Sequence, residues 1–355
     1  MENRGLLFIP DISGFTRFVN ETEISHSRLI IQELLELLIN ANEIGLEVSE
    51  IEGDAILFYK FGEPPELAQI YRQVEHMFIA FHEQLVAYEY RRFCQCQACM
   101  SAIQLTLKVV THYGEFTDYN VKNFQKLIGR DVIVAHQLLK NNISEHEYWL
   151  VTEGLATNEL PQLSAGMIWN SSAKETETGL IPFRYTQLGQ LKREIKPQQL
   201  PRLKLEGKRK VLSFSDTYGT TIIPLFHATG DFSYRSRWQF GVKAVEELTH
   251  FLPRIGMRCR FIMDDDEASV YASSYSFSPQ RIEFSETSEK TGNTIYYTLE
   301  AVDDTLTKLT VDLYIRKNIF SAIRYHLKEK QSMQHCWQTS LNRLHTLVKE
   351  IRLPA

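Results

Sequence analysis

The chain has 355 residues, long enough for two ordinary domains at about 100–200 residues each. Its 43% hydrophobic and 23% charged residues suit a globular protein, and a net charge of −5 gives no electrostatic reason to expect nucleic acid or anionic lipid. The five cysteines make no disulfide framework, MENRGLLFIPD meets an acid too early for a signal peptide, and no window approaches the about 18 uninterrupted apolar residues of a membrane span. The expectation is a cytoplasmic protein with reduced thiols.

Residues 6–10 form a short apolar run that ends at Pro10-Asp11, which predicts a buried strand. From Ser25 to Ile44 the apolar residues Leu29, Leu34, Leu37, Leu38 and Ala41 recur at helical spacing, and Gly45 stops the helix. LEVSEIEG and DAILFYKFG then predict two strands around a tight Glu-Gly-Asp connection. Pro64-Pro65 opens an amphipathic helix to about Arg92, 103–110 alternates as a strand, 129–140 predicts a helix, and a further strand falls near 148–152. The order β-α-β-β-α-β-α fits a sheet with helices packed mainly on one face.

Lys, Arg, Pro and Gln dominate from Lys192 to Lys210, which reads as a linker or crossing segment. Beyond it, DFSYRSRWQF predicts a strand and 241–252 a helix. Four alternating segments follow, at 257–263, 268–277, 281–286 with 294–300, and 306–316. A long helix at about 321–350 carries an apolar stripe through Met333, Trp337, Leu341, Leu344 and Val348, so one face must pack on something.

Two motifs carry chemistry. In FIPDISGFTRF a strand ends in Asp11 and a helix starts near Ser13, so a carboxylate stands beside free helix N-terminal amides. The acid suits a divalent cation and the amides suit phosphate oxygens. In EIEGDAILF the hairpin tip presents Asp54. A β-α-β-β arrangement makes the two strands neighbours, and both carboxylates can converge on a metal pair of the kind used in phosphoryl chemistry. The plainer reading of the same two residues is a helix cap and a turn.

These segments resemble class III nucleotidyl cyclases, which carry an Asp-Ile-x-Gly-Phe-(Ser/Thr) first strand and a Gly-Asp-Ala hairpin. VVTHYGEF at 109–116 is similar to the family's Ile-His-x-Gly strand, and LIGRDVIVAHQLL at 127–139 to its Gly-x-x-Val-Asn-x-Ala-x-Arg-Leu helix. The resemblance covers most of residues 1–160. It implies an α+β, ferredoxin-like βαββαβ domain over 1–200, metal positions at Asp11, Ile12 and Asp54, and phosphate-binding positions at Ser13, Gly14, Phe15 and Thr16. Mg²⁺ or Mn²⁺ is the implied cofactor, nucleotide the implied ligand and a homodimer the implied assembly.

The family pattern breaks where catalysis needs it. Its ribose-positioning Asn and charge-stabilising Arg correspond to Ile133 and Gln137, and losing one preorganised donor of this kind costs about 2.7–4 kcal/mol of barrier. The purine-selecting positions hold Glu50 and Lys126, which are expected either to pair and fill the purine pocket or to be two unrelated exposed charges. A homodimer would then hold two identical defective sites.

Cys94, Cys96 and Cys99 fall within one hexapeptide. They could hold zinc with His82 or His112, act as a redox pair, or be reduced structural thiols. Cys259 and Cys336 read as core residues. With 201–227 taken as linker, the pattern from 228 to 355 resembles the START-like helix-grip fold of polyketide cyclases and lipid carriers. That resemblance implies an apolar chamber for a hydrophobic small molecule, with Trp238, Phe240, Tyr271, Tyr275, Phe277, Tyr297, Met333 and Trp337 as candidate lining. The combined expectation is a regulatory or ligand-binding protein. Its alternatives are a divergent cyclase that is still active and a lipid carrier whose first domain serves dimerisation.

Overall fold

The structure is a computed structural model that describes residues 4–22, 24–91, 97–156, 166–176, 179–196, 205–248, 255–264, 266–317 and 330–351. The chain divides into two compact units, Met1–Glu89 with Met100–Gln198, and Tyr90–Cys99 with Gln199–Ala355. Each is α+β.

The first unit runs β1 (Arg4–Ser13), α1 (Phe15–Glu21), α2 (Ile24–Asn40), β2 (Glu47–Glu52), β3 (Ala55–Phe61), α3 (Leu67–Arg91, of which the last two residues fall in the second unit), α4 (Gln97–Ser101, which spans the boundary after Cys99) and β4 (Thr106–Glu115). It continues with β5 (Thr117–Val121), β6 (Phe124–Ile128), α5 (Arg130–Leu139), β7 (Tyr148–Thr152), β8 (Trp169–Thr176) and β9 (Gly179–Gln187). Seven of the strands form one sheet in the order β2-β3-β1-β4-β7-β9-β8. The β2–β3 turn is made by Gly53, whose φ of 62° lies in the left-handed region that glycine enters without steric cost.

β1 is buried from Gly5 to Ser13 because the sheet is covered on both faces. Leu7 and Ile9 share a core with Val134 and Leu138 of α5. On the opposite face Trp149 of β7 meets Tyr71 of α3 at 5.7 Å between ring centroids. α2 is tied to α3 through Glu33, which accepts from Tyr88 Oη at 2.6 Å and Gln84 Nε2 at 3.0 Å. The two long helices thus share a face, as the pattern predicts, and the shorter α5 takes the other. α2 ends at Asn40, before the residues that read as its last turn, because Asn42 closes a loop on Leu46.

The second unit runs β10 (Lys208–Tyr218), α6 (Ile222–Gly230), α7 (Arg235–Trp238), β11 (Ala244–Glu247), β12 (Arg258–Ile262), β13 (Glu267–Ser278), β14 (Arg281–Ser288), β15 (Thr294–Ala301), β16 (Thr307–Arg316) and α8 (Lys330–Glu350). Its sheet is antiparallel in the order β10-β16-β15-β14-β13-β12-β11. Trp337, Leu341, Leu344, Leu347 and Val348 of α8 enter the same core as the sheet.

Several expectations change here. Residues 201–227 are not a plain linker, since they hold β10 and most of α6. Lysines and arginine hide that strand because it lies at a sheet edge, where charged side chains are tolerated and discourage further pairing. DFSYRSRWQF is not a strand: Asp231 accepts from Ser233 N at 2.8 Å and starts a helical turn that leads into α7. Residues 244–247, expected to be helical, pair with β12 as a strand.

Candidate functional site

β1 and β3 are antiparallel neighbours with Asp11 opposite Ala55, and Ile12 N donates to Asp54 O at 3.0 Å. The main chains of the two aspartates are therefore neighbours across β1 and β3. Burial pushes the Asp54 carboxyl up to about 6, and the neighbouring Asp11 charge adds to the effect. Burial also raises Asp11, opposed mainly by the ammonium of Lys108. Lys108 Nζ, from β4, lies 3.3 Å from Asp11 Oδ1.

The two carboxyls are the right hard donors for Mg²⁺ or Mn²⁺. The fit is nevertheless poor, because the Lys108 ammonium already stands beside the Asp11 carboxylate. Gly14, at φ 89°, precedes α1, a helix of 7 residues. Ser13 is buried with its hydroxyl unpartnered, Phe15 is half-buried, and Thr16 is exposed.

A second constellation lies where β2, β6 and α5 meet. Lys126 Nζ of β6 pairs with Glu50 Oε2 of β2, and this partner raises the lysine pKa. His136 Nε2 of α5 stands 3.6 Å from Glu50 Oε1, and its Nδ1 stands 3.9 Å from Glu52 Oε2. Neither Glu52 nor His136 was a sequence candidate. A signal existed: His136 follows Ile133 by three residues on the helix, and Glu52 follows Glu50 by two on the strand, so each shares a side with a residue already singled out. Ile133 itself is 53% exposed on α5, and Gln137 has a buried carbonyl oxygen without a partner among the described residues.

A third group ties β4, α5 and β7 together. His112 Nδ1 meets Thr152 Oγ1 at 2.7 Å, and its Nε2 stands 3.1 Å from Asp131 Oδ1. Hydrogen bonding to His112 is the main cause that holds the Asp131 carboxyl below its usual range. His112 is thus engaged with Thr152 and Asp131. Cys94 and Cys96 lie outside the described residues, while Cys99 is buried on α4. Cys259 is buried in the core and Cys336 is half-buried on α8.

In the second unit the expected chamber lining is mostly core. Phe284 and Tyr297 stack at 4.4 Å, Tyr297 meets Trp337 at 6.2 Å, and Trp337 meets Trp238 at 6.3 Å. Tyr275 and Met333 pack against that cluster. Phe240 and Phe277 are exposed, and Tyr271 alternates away from the buried Val270 and Ala272, so these three do not line an interior. No helix among the described residues is long and apolar enough to cross a membrane.

Residues 31–148 match a family described as a protein of unknown function (DUF2652). An uncharacterized protein of Mycobacterium tuberculosis is 31% identical over 133 residues, which is 35% of this chain. The match spans 58% of the length of that relative. Among solved structures, the catalytic core of a rhodopsin-guanylyl cyclase with ATPαS is similar at 14% identity and a TM-score of 0.38, over 52% of this chain and 96% of that one. The adenylyl cyclase CyaB of P. aeruginosa is similar at 15% identity and a TM-score of 0.36, over 52% of this chain and 93% of that one.

Proposed function

We propose that the first unit is a nucleotidyl-cyclase-related regulatory module that does not turn over nucleotides. The observation that carries this reading is the Lys126–Glu50 ion pair. The side chains at the two purine-selecting positions satisfy each other, and a base entering there would have to break a charged contact. Ile133 and Gln137 support the same reading, since neither offers charge to a developing phosphate anion. Lys108 supplies Asp11 with the positive charge that a metal would otherwise bring. The homodimer and the cytoplasmic location belong to the proposal.

For the second unit the proposal is a helix-grip, START-like domain, supported by its strand order and by α8 packed into the sheet's core. Mutual contact of Trp238, Tyr297 and Trp337 favours a packed structural core over a lipid-sized chamber. The test is incubation of the purified protein with Mn²⁺ and either ATP or GTP. The expected result is no cyclic product above that of an Asp11→Asn/Asp54→Asn variant. Product formation that disappears in that variant would establish a working cyclase instead.

A further inference from the structure

Glu50 and Glu52 leave β2 on the same side, as strand residues two apart do. α5 brings His136 to them, and one ligand atom from each of the three residues lies within 4.8 Å of the others. Two carboxylate oxygens and an imidazole nitrogen form a borderline donor set suited to zinc. Ligands at about 2.1 Å from one zinc ion stand about 3.4 Å apart, so side-chain rotation has to draw the three ligand atoms in from their present spacing, which is within 4.8 Å. The contacts that exist now use opposite ring nitrogens, Nε2 toward Glu50 at 3.6 Å and Nδ1 toward Glu52 at 3.9 Å, so the Glu52 or His136 side chain must turn before one nitrogen meets both carboxylates.

Lys126 adds the outer part of such a site. It holds Glu50 Oε2 and leaves Oε1 turned toward His136. Outer partners of this kind fix the orientation of a metal-binding carboxylate. Glu52 and His136 are partly open to solvent, so an ion can enter and keep water in its remaining positions. The four groups come from β2, β6 and α5, elements that the fold already holds together.

We infer that Glu50, Glu52 and His136 form a zinc site, with Lys126 as the partner that orients Glu50. This site is separate from the Asp11–Asp54 pair and does not depend on whether the first unit turns over nucleotides. The experiment is calorimetric titration of the chelator-stripped full chain with Zn²⁺, with the His136 ring nitrogens followed by NMR. One ion per chain is expected, together with a shift of the His136 resonances at saturation. Glu52→Gln and His136→Gln should each weaken binding by about 10-fold or more.

An Asp11→Asn/Asp54→Asn variant and a Cys94→Ser/Cys96→Ser/Cys99→Ser variant should bind as the wild type does. Glu52 is exposed, so its substitution leaves the fold intact and the measurement interpretable. Absence of saturable zinc binding overturns the inference. So does binding that follows the cysteines or the aspartates and survives His136→Gln.

Discussion

Lys108 Nζ lies 3.3 Å from Asp11 Oδ1 and donates a second bond to the Leu139 carbonyl oxygen at 3.2 Å. Both partners are largely buried, so the pair is a fixed internal charge rather than a solvated contact. It decides how the acidic pair behaves, because the lysine stands where an external cation would have to come. Lys108→Met should cost about 2–4 kcal/mol, less than the loss of a partner from a fully enclosed ion pair because Asp11 can take up a proton. Mn²⁺ should then raise the Tm of the variant more than that of the wild type. Equal shifts in thermal melts of the two proteins would show that Lys108 does not hold the cation position.

Much of the first unit is readable from spacing alone. The apolar run of β1, the helical recurrence in α2 and α3, and the Glu-Gly-Asp turn each follow from local chemistry. The approach of Asp11 to Asp54 follows from strand order, and the contact of Glu50 with Lys126 was one of two expectations left open. Lys108 was not legible, since one lysine in an alternating strand reads as solvent-facing until both sheet faces are known to be covered. The β5–β6 and β8–β9 hairpins were missed because their strands are mostly exposed or half-buried, which leaves no clean apolar alternation to read. The His112–Asp131–Thr152 group joins residues as much as 40 positions apart, a distance over which single-sequence patterns say nothing.

Gly114 is required by that group. A Cβ added there would stand 2.3 Å from the Asp131 carboxylate, which accepts from Glu115 N at 2.5 Å. Gly114→Ala should push Asp131 out and break its contacts with His112 and the backbone, at about 1–3 kcal/mol for the groups left unpaired. Asp131→Ala should cost a similar amount. The double variant should cost clearly less than the sum, because both changes remove the same contacts. Urea denaturation of the three proteins measures this, and simple additivity would exclude the shared cause.

His82 provides a pH dependence. It is buried beside Phe78 and Phe81, its Nε2 has no partner among the described residues, and burial lowers its pKa from 6.5 to about 3. The folded ring is therefore neutral where the unfolded one takes a proton. Its contribution to stability is complete above pH 6.5 and is lost as pH falls toward 3, at no more than about 1.4 kcal/mol per pH unit. His82→Phe should flatten this part of the stability profile. An unchanged acid limb in the variant would mean that another group is responsible.

Arg235 and Glu286 make a buried ion pair in the second unit, both lying almost wholly out of solvent. The guanidinium pairs with Glu286 and donates to Tyr297 Oη at 2.9 Å and Thr229 O at 2.8 Å, and its carbon lies 5.0 Å from the Trp238 ring. Burying two charges sacrifices about as much hydration as their attraction returns, so the pair is expected to add little net stability. Removing one member is a different matter. Glu286→Leu leaves an uncompensated cation among aromatic rings and should cost about 3–5 kcal/mol. Arg235→Leu/Glu286→Leu together should recover most of that loss, because no charge then remains to be solvated. If the double variant is at least as unstable as Glu286→Leu alone, the contacts to Tyr297 and Thr229 hold the core, and the charge balance does not.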